Sequence, residues 1–95
     1  MQNTVLDRHR EEILALAARR GATNVRVFGS AARGTNRPDS DVDLLVSFDA
    51  GRSLLDLIGF KHDVEDLIHR PVDVVTDRAL SPYIRDRVLA EAVPL

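Results

Sequence analysis

The chain has 95 residues, no cysteine and a formal net charge of −2 at pH 7. Its length predicts one domain over residues 1–95, and the missing thiols exclude disulfides, Cys-ligated zinc, iron–sulfur clusters and thiol catalysis. The acidic balance argues against direct nucleic-acid binding by a broad basic surface, although a polyanion held locally with a metal stays open. The sequence shows neither a membrane-length apolar run nor a signal pattern, so we expect a cytoplasmic protein without membrane contact.

The first half of the sequence predicts one helix followed by two strands. Apolar spacing favours a helix over Asp7–Arg20, with Gly21 as its C-cap. Alternation predicts a strand over Asn24–Phe28, and residues 29–40 have the Gly, Ser, Asn, Asp and Pro content of a loop. Asp41–Phe48 predicts the second strand. One of its faces carries Val42, Leu44 and Val46, and the other carries Asp41, Asp43 and Leu45.

The second half predicts two more helices around a third strand. Ser53 is the expected cap of a helix that ends before Pro71, Val72–Thr76 is a strand, and Ser81 with Pro82 opens the last helix. The predicted inward-facing residues are Leu54, Leu57, Ile58, Lys61, either Val64 or Glu65, and Ile68 on one helix, and Ile84, Val88 and Ala92 on the other. The order α-β-β-α-β-α predicts an α/β (α+β) fold, a small mixed sheet covered by helices.

A glycine-containing turn follows the first predicted strand. Gly29 allows a ligand to approach the backbone closely, and the hydroxyl of Ser30 with exposed amides could hold phosphate oxygens. Arg33 could add a charged fork. The alternative is an ordinary glycine turn with a solvated arginine. The segment is not a Walker loop, because Thr35 and Asn36 stand where Lys and Ser or Thr are required.

Three aspartates interrupt strands that are otherwise apolar. Asp41 and Asp43 are two residues apart and project from one face, about 6.6 Å apart along the strand. Asp73 repeats the pattern in the third strand. Carboxylates that would repel each other suit Mg²⁺ or Mn²⁺, and two bridged metals serve nucleotidyl transfer. Asp73 could also accept a proton. The alternative is a strand whose acidic face is wetted by solvent.

These residues together resemble a known family. Gly29–Ser30, ten residues, then Asp41-x-Asp43 is the G-S-x10-D-x-D pattern of DNA polymerase beta-like nucleotidyltransferases. The fuller run Gly-Ser-Ala-Ala-Arg-Gly, followed by Ser-Asp-Val-Asp-Leu-Leu-Val, is similar to the minimal nucleotidyltransferase (MNT) antitoxin branch. Asp73 lies where that family places its third carboxylate.

The resemblance implies a site and a reaction. Asp41 and Asp43 would bind Mg²⁺, with Asp73 as third ligand and general base, in a site for two metals. Gly29 and Ser30 would hold the triphosphate of ATP, with help from Arg33. In this branch the enzyme transfers AMP from ATP to a tyrosine of a HEPN-domain ribonuclease toxin and silences it. The resemblance therefore predicts a HEPN toxin as partner, while the oligomeric state stays open.

Two other functions compete with this one. An interaction protein could neutralise its partner by covering it, with an accessory or vestigial site. Transfer to a small molecule would need a separate acceptor-binding subunit, because relatives that modify small molecules carry a further domain.

Several other polar residues are given ordinary roles. The three histidines lack metal-ligand spacing and are expected at the surface or at helix ends, and Tyr83 is expected to be packed or half-exposed rather than a self-modified acceptor. The acidic run Asp63, Glu65 and Asp66 is expected to be a solvated face. Arg85 and Arg87 are less favoured candidates for nucleotide or partner binding.

Overall fold

A computed structural model describes residues 4–29, 41–49 and 51–95 of the chain. Its elements, in chain order, are α1 (Thr4–Arg8), α2 (Arg10–Arg20), β1 (Ala22–Phe28), β2 (Val42–Phe48), α3 (Leu54–Ile68), β3 (Val72–Thr76), a 3-10 helix (Asp77–Ala79), α4 (Pro82–Glu91) and β4 (Val93–Pro94). The predicted order of elements is confirmed. The sequence did not indicate the short α1, the 3-10 turn or the two-residue β4.

The predicted N-terminal helix is divided at His9. The backbone there leaves helical geometry, at φ −110° and ψ 14°. The His9 carbonyl then accepts the amide of Ile13 at 2.9 Å, so α2 starts afresh after it. Gly21 ends α2 as predicted: it adopts the left-handed conformation at φ 77°, and its amide reaches the carbonyls of Ala17 and Ala18.

The four strands form one mixed sheet in the order β3-β2-β1-β4. β1 pairs antiparallel with both β2 and β4, whereas β2 and β3 run parallel. A parallel pair needs a crossover connection, and α3 provides it. β2 is therefore flanked on both sides, while β3 forms one edge of the sheet.

Alternation along β2 divides the sheet into two faces. Val42, Leu44 and Val46 are fully buried on the face that α2 and α3 cover. Leu45 is equally buried on the opposite face, where Leu80 and Val88 pack over it. This second face is also the face of Asp41 and Asp43, as the alternation predicted.

The predicted inward face of α3 is confirmed at Val64 and Ile68 but not in the first turns of the helix, and Phe60 was missed. Its buried residues are Phe60, Val64 and Ile68, whereas Leu54 and Ile58 are 68% and 38% exposed. The prediction for Leu54 and Ile58 was therefore wrong. The first turns of α3 carry apolar residues on several sides, and the bulky Phe60 determines which side faces the sheet.

The predicted cap at Ser53 is confirmed as a capping box, because the Asp56 carboxylate accepts the Ser53 amide at 3.1 Å.

α4 covers the second face through its C-terminal half. Ser81 caps the helix through its hydroxyl, which accepts the Tyr83 amide at 3.3 Å, and Pro82 occupies the first turn. Val88 is buried and Ala92 half-buried, but Ile84 is 44% exposed, so its predicted inward position was wrong. The first turn of α4 projects beyond the apolar centre of this face.

No helix in the described part of the chain is long and apolar enough to cross a bilayer.

Candidate active site

Four of the six predicted site residues lie in the described part of the chain. Gly29 follows β1, Asp41 precedes β2, Asp43 lies in β2 and Asp73 in β3. Ser30 and Arg33 lie outside the described residues. The carboxylate half of the candidate site can therefore be followed in the structure, and the roles of Ser30 and Arg33 stay predictions.

Strand register brings Asp43 and Asp73 side by side. Their Cα atoms are direct partners in the parallel β2–β3 pair. Neighbouring strands lie about 4.8 Å apart, and paired residues project from the same face. Asp73 is exposed and Asp43 half-buried, so solvent reaches the Asp73 side chain fully and the Asp43 side chain in part.

Gly29 lies against the carboxylate of Asp43. It has a positive φ of 70°, a conformation that L side chains rarely adopt. A Cβ atom at this position would overlap Oδ2 of Asp43. Phe28, the preceding residue, is the antiparallel partner of Asp43 in the sheet. Glycine thus allows the chain leaving β1 to pass directly beside the Asp43 carboxylate.

Asp41 extends the acidic end of this face. It is exposed and lies two residues before Asp43, hence on the same side of the strand. Within residues 4–29, 41–49 and 51–95, no three acidic or histidine side chains are grouped closely enough to hold a metal ion as they stand. The register establishes the neighbouring pair Asp43 and Asp73, and the three-carboxylate metal site stays a prediction.

The chemistry of the neighbouring pair fits a hard divalent cation. Two carboxylates on adjacent residues of paired strands repel each other, and a cation between them removes that repulsion. Farther along the same face, Leu45 is buried against Leu80 and Val88. The aspartates therefore lie beside an apolar layer that excludes water from one side of the site.

Glu65, which the helix period also placed among the inward-facing residues, binds the start of β3, a contact that the sequence did not indicate. Its Oε2 accepts the amide of Val72 at 3.0 Å, and Lys61 Nζ donates to the same carboxylate at 3.2 and 3.3 Å. The Val72 amide, and to a smaller extent Lys61, lowers the pKa of Glu65 below its usual value. Since Val72 directly precedes Asp73, Glu65 contacts the strand segment that carries the candidate site.

The expected solvated acidic face is therefore wrong for two of its three residues. Glu65 binds the start of β3, and Asp63 accepts Arg20 Nε at 3.1 Å on α2. Their side chains are 26% and 31% exposed. Asp66 is exposed, as expected. The helix period separates Glu65 from Asp63 and Asp66, because residues three apart are neighbours on one side of a helix and residues two apart are not.

The remaining polar residues have mixed outcomes. His62 and His69 are exposed, and His69 ends α3 in the left-handed conformation, as expected of helix-end histidines. Tyr83 is 97% exposed, so the expectation that it is packed or half-exposed was wrong. Arg85 and Arg87 are exposed on α4.

Comparison with known proteins identifies the family. The family model described as the nucleotidyltransferase domain matches residues 6–95. The chain belongs to the nucleotidyltransferase family. It is 39% identical over 90 residues to the protein adenylyltransferase MntA of Thermococcus cleftensis, a match that covers 95% of this chain and 88% of MntA. The minimal nucleotidyltransferase branch predicted from the sequence is confirmed, and with it the prediction that the chain is an enzyme, a nucleotidyltransferase.

Solved structures confirm the nucleotidyltransferase fold. A candidate minimal nucleotidyltransferase is 52% identical, with a TM-score of 0.89, and the match covers 100% of this chain and 97% of the other. A toxin–antitoxin structure with AMP-PNP gives a TM-score of 0.75 at 20% identity, over 88% of this chain and 69% of the other. At 20% identity the second match shows the fold alone.

Proposed function

We propose that this nucleotidyltransferase transfers AMP from ATP to a tyrosine hydroxyl of a HEPN-domain toxin and thereby neutralises it in the cytoplasm. The observation that carries the proposal is the direct register of Asp43 with Asp73 beside the positive-φ Gly29. The similarity to MntA, a protein adenylyltransferase, supports AMP transfer to a protein. The toxin–antitoxin assembly among the fold neighbours supports a toxin as the acceptor.

Mg²⁺ would be held by three aspartates, Asp41, Asp43 and Asp73. All three offer hard carboxylate oxygens, the donor type that Mg²⁺ prefers and Mn²⁺ accepts. Bound there, one or two such ions would offset the phosphate charge and lower the pKa of the acceptor hydroxyl. Asp41 and Asp73 are exposed, so the site can be reached by both a nucleotide and a protein side chain.

The chain's own residues would place the two reactants. Gly29 lets the backbone pass directly beside the Asp43 carboxylate, and a triphosphate bound by this turn would therefore lie close to that carboxylate. Ser30 and Arg33 follow in the sequence and would bind phosphate oxygens by hydroxyl and guanidinium. Asp73 would accept the proton of the attacking tyrosine hydroxyl, while pyrophosphate leaves from the opposite side of the α-phosphate.

The test is intact-mass spectrometry of a candidate HEPN-domain toxin, chosen from the genes next to the gene for this chain. Wild-type chain, ATP and Mg²⁺ should add the mass of one or more AMP units to the toxin. The Asp41→Asn, Asp43→Asn double variant should lower the rate of addition by about 100-fold or more, because it removes the cation's ligands. Circular dichroism of the double variant checks that the fold is retained.

The same experiment separates the competing function. If the double variant forms the complex and still silences the toxin without adding mass, the chain acts by covering its partner. Mass gain that persists in the folded double variant would contradict the assigned site. Transfer only to a small acceptor, with the toxin absent, would contradict the protein substrate.

A further inference from the structure

We propose that Glu65 is a positioning residue for Asp73. Its carboxylate fixes the first amide of β3, and this bond sets the Asp73 side chain beside that of Asp43. Glu65 does not itself touch a reactant. The effect of Glu65 on catalysis rests on the proposed function, whereas its effect on the local backbone does not.

Glu65 accepts hydrogen bonds at both ends of the connection between α3 and β3, one through its backbone and one through its side chain. Its backbone carbonyl accepts the amide of His69 at 2.8 Å, and its side chain accepts the amide of Val72 at 3.0 Å. Lys61, one turn earlier on α3, holds the carboxylate in place at 3.2 Å. Glu65 thus fixes both the end of the helix and the beginning of the strand.

The Val72 amide needs such an acceptor because β3 is an edge strand. The carbonyl of Pro71 accepts the amide of Val42 at 2.9 Å, so residue 71 directs its polar groups towards β2. Successive residues of a strand alternate, and Val72 therefore directs its N–H away from β2. On that side no other strand of the described sheet pairs with β3. The Glu65 carboxylate accepts the hydrogen bond that a neighbouring strand would otherwise accept from the Val72 amide.

The position of Asp73 depends on this anchor. Only residues 69–71 connect α3 to β3, and His69 holds a positive φ of 56° that is rare for a residue with a side chain. Without this acceptor, the first amide of β3 loses its hydrogen bond on the outer side of the sheet. A shift of about 1 Å in a reacting group can cost about 100-fold in rate. The Val72 anchor is therefore able to influence catalysis through Asp73.

Amide hydrogen exchange tests the backbone part of the proposal. Glu65→Ala should speed exchange at Val72 by about tenfold or more, because a hydrogen bond to a charged acceptor is removed. Glu65→Gln keeps a carbonyl acceptor and should restore most of the protection. The matched control is Asp63→Ala, which removes a carboxylate of similar exposure on the same helix that binds Arg20 on α2 instead.

Metal affinity and kinetics test the consequence for the site. In Glu65→Ala, we expect Mn²⁺ to bind the chain several-fold more weakly and kcat for AMP transfer to fall about tenfold or more, with the KM for ATP nearly unchanged. Asp63→Ala should leave Mn²⁺ affinity and kcat as in wild type even if it lowers the melting temperature equally. A loss of Mn²⁺ affinity and kcat in Glu65→Ala alone would distinguish a positioning role of Glu65 from general destabilisation of the fold.

Two results would overturn the proposal. One is exchange at Val72 that is no faster in Glu65→Ala than in Asp63→Ala. The other is an equal loss of Mn²⁺ affinity and kcat in both variants. If wild type itself neither binds Mn²⁺ nor transfers AMP, the proposed function fails, and the exchange comparison still decides whether Glu65 anchors β3.

Discussion

Asp43 and Asp73 are direct partners across the parallel strands β2 and β3, although about 30 residues separate them in the chain. This pairing places two like charges on adjacent positions of one face. Paired like charges destabilise a sheet unless a counter-charge lies between them. A cation bound between the two carboxylates would remove the repulsion between them.

Replacing Asp73 by Asn should stabilise the metal-free protein. We expect the free energy of unfolding to rise by about 0.2–1 kcal/mol, because the repulsion with Asp43 is removed. Saturating Mg²⁺ should raise the melting temperature of wild type and leave that of Asp73→Asn almost unchanged, since only the intact pair binds the ion well. Thermal denaturation in EDTA measures the stability of the metal-free proteins, and the same experiment in Mg²⁺ measures the change in melting temperature that the ion causes. An equal response of the two proteins to Mg²⁺ would contradict a metal site at Asp73.

Adding a methyl group at Gly29 should damage the site as well as the fold. Gly29→Ala strains a left-handed residue by about 1–2 kcal/mol and also directs a Cβ atom into the Asp43 carboxylate. Gly51→Ala is the matched control, because Gly51 has φ 88° but open space around its Cβ position. Chemical denaturation should show a loss of stability in both variants, larger in Gly29→Ala because of the added overlap, and AMP transfer should fall only in Gly29→Ala. Equal activities would show that the contact with Asp43 is unimportant.

Glu65 should make stability depend on pH in the acid range. Its pKa is lowered in the folded protein, mainly by the Val72 amide, from a usual value of 4.5. A lowered carboxyl pKa stabilises the fold above the unfolded value, and this contribution is lost as pH falls through the folded value. The stability difference between wild type and Glu65→Gln should therefore shrink as pH falls from neutral to below 4.5. Leu55→Ala alters no ionisable group and serves as the control. Its free energy of unfolding, measured by urea denaturation, should differ from that of wild type by the same amount at every pH.

The core of the helix-covered face should tolerate little loss of volume. Leu44 is fully buried in β2, and Leu44→Ala should cost about 2–5 kcal/mol through lost burial and the cavity left behind. Leu55 is 76% exposed on α3, and Leu55→Ala should change stability by no more than about 0.5 kcal/mol. Denaturation of the two variants tests the assignment of faces. Comparable losses would show that the exposed part of α3 is buried in solution.

Local sequence signals predicted the elements and most of the paired carboxylate face. The alternation in β2 correctly separated Val42 and Leu44 from Asp43, because strand geometry leaves only two faces to choose from. The spacing between Gly29 and Asp43 identified the family before the fold was known. The structure then added what no spacing contains, namely that Asp43 and Asp73 share a register position.

Helix orientation was harder to predict, for a physical reason. Leu54, Leu55 and Ile58 surround the first turns of α3, so apolar content alone did not choose a side. Packing of Phe60 against the sheet made that choice. Glu65 was misassigned for a related reason, because its partner Val72 comes seven residues later and belongs to the next strand. Tertiary contacts of this kind leave no periodic signal in the sequence.

The parallel pairing of β2 and β3 also determines when the site can exist during folding. A chain that has formed only the β1–β2 hairpin carries Asp43 but lacks its partner, and α3 must fold and cross over before Asp73 arrives. Closing a loop of about 30 residues is an entropic cost that precedes the contacts it allows. Affinity for a divalent ion is thus expected to emerge late, as a property of the finished sheet. A partly folded chain would carry the same aspartates and hold no nucleotide.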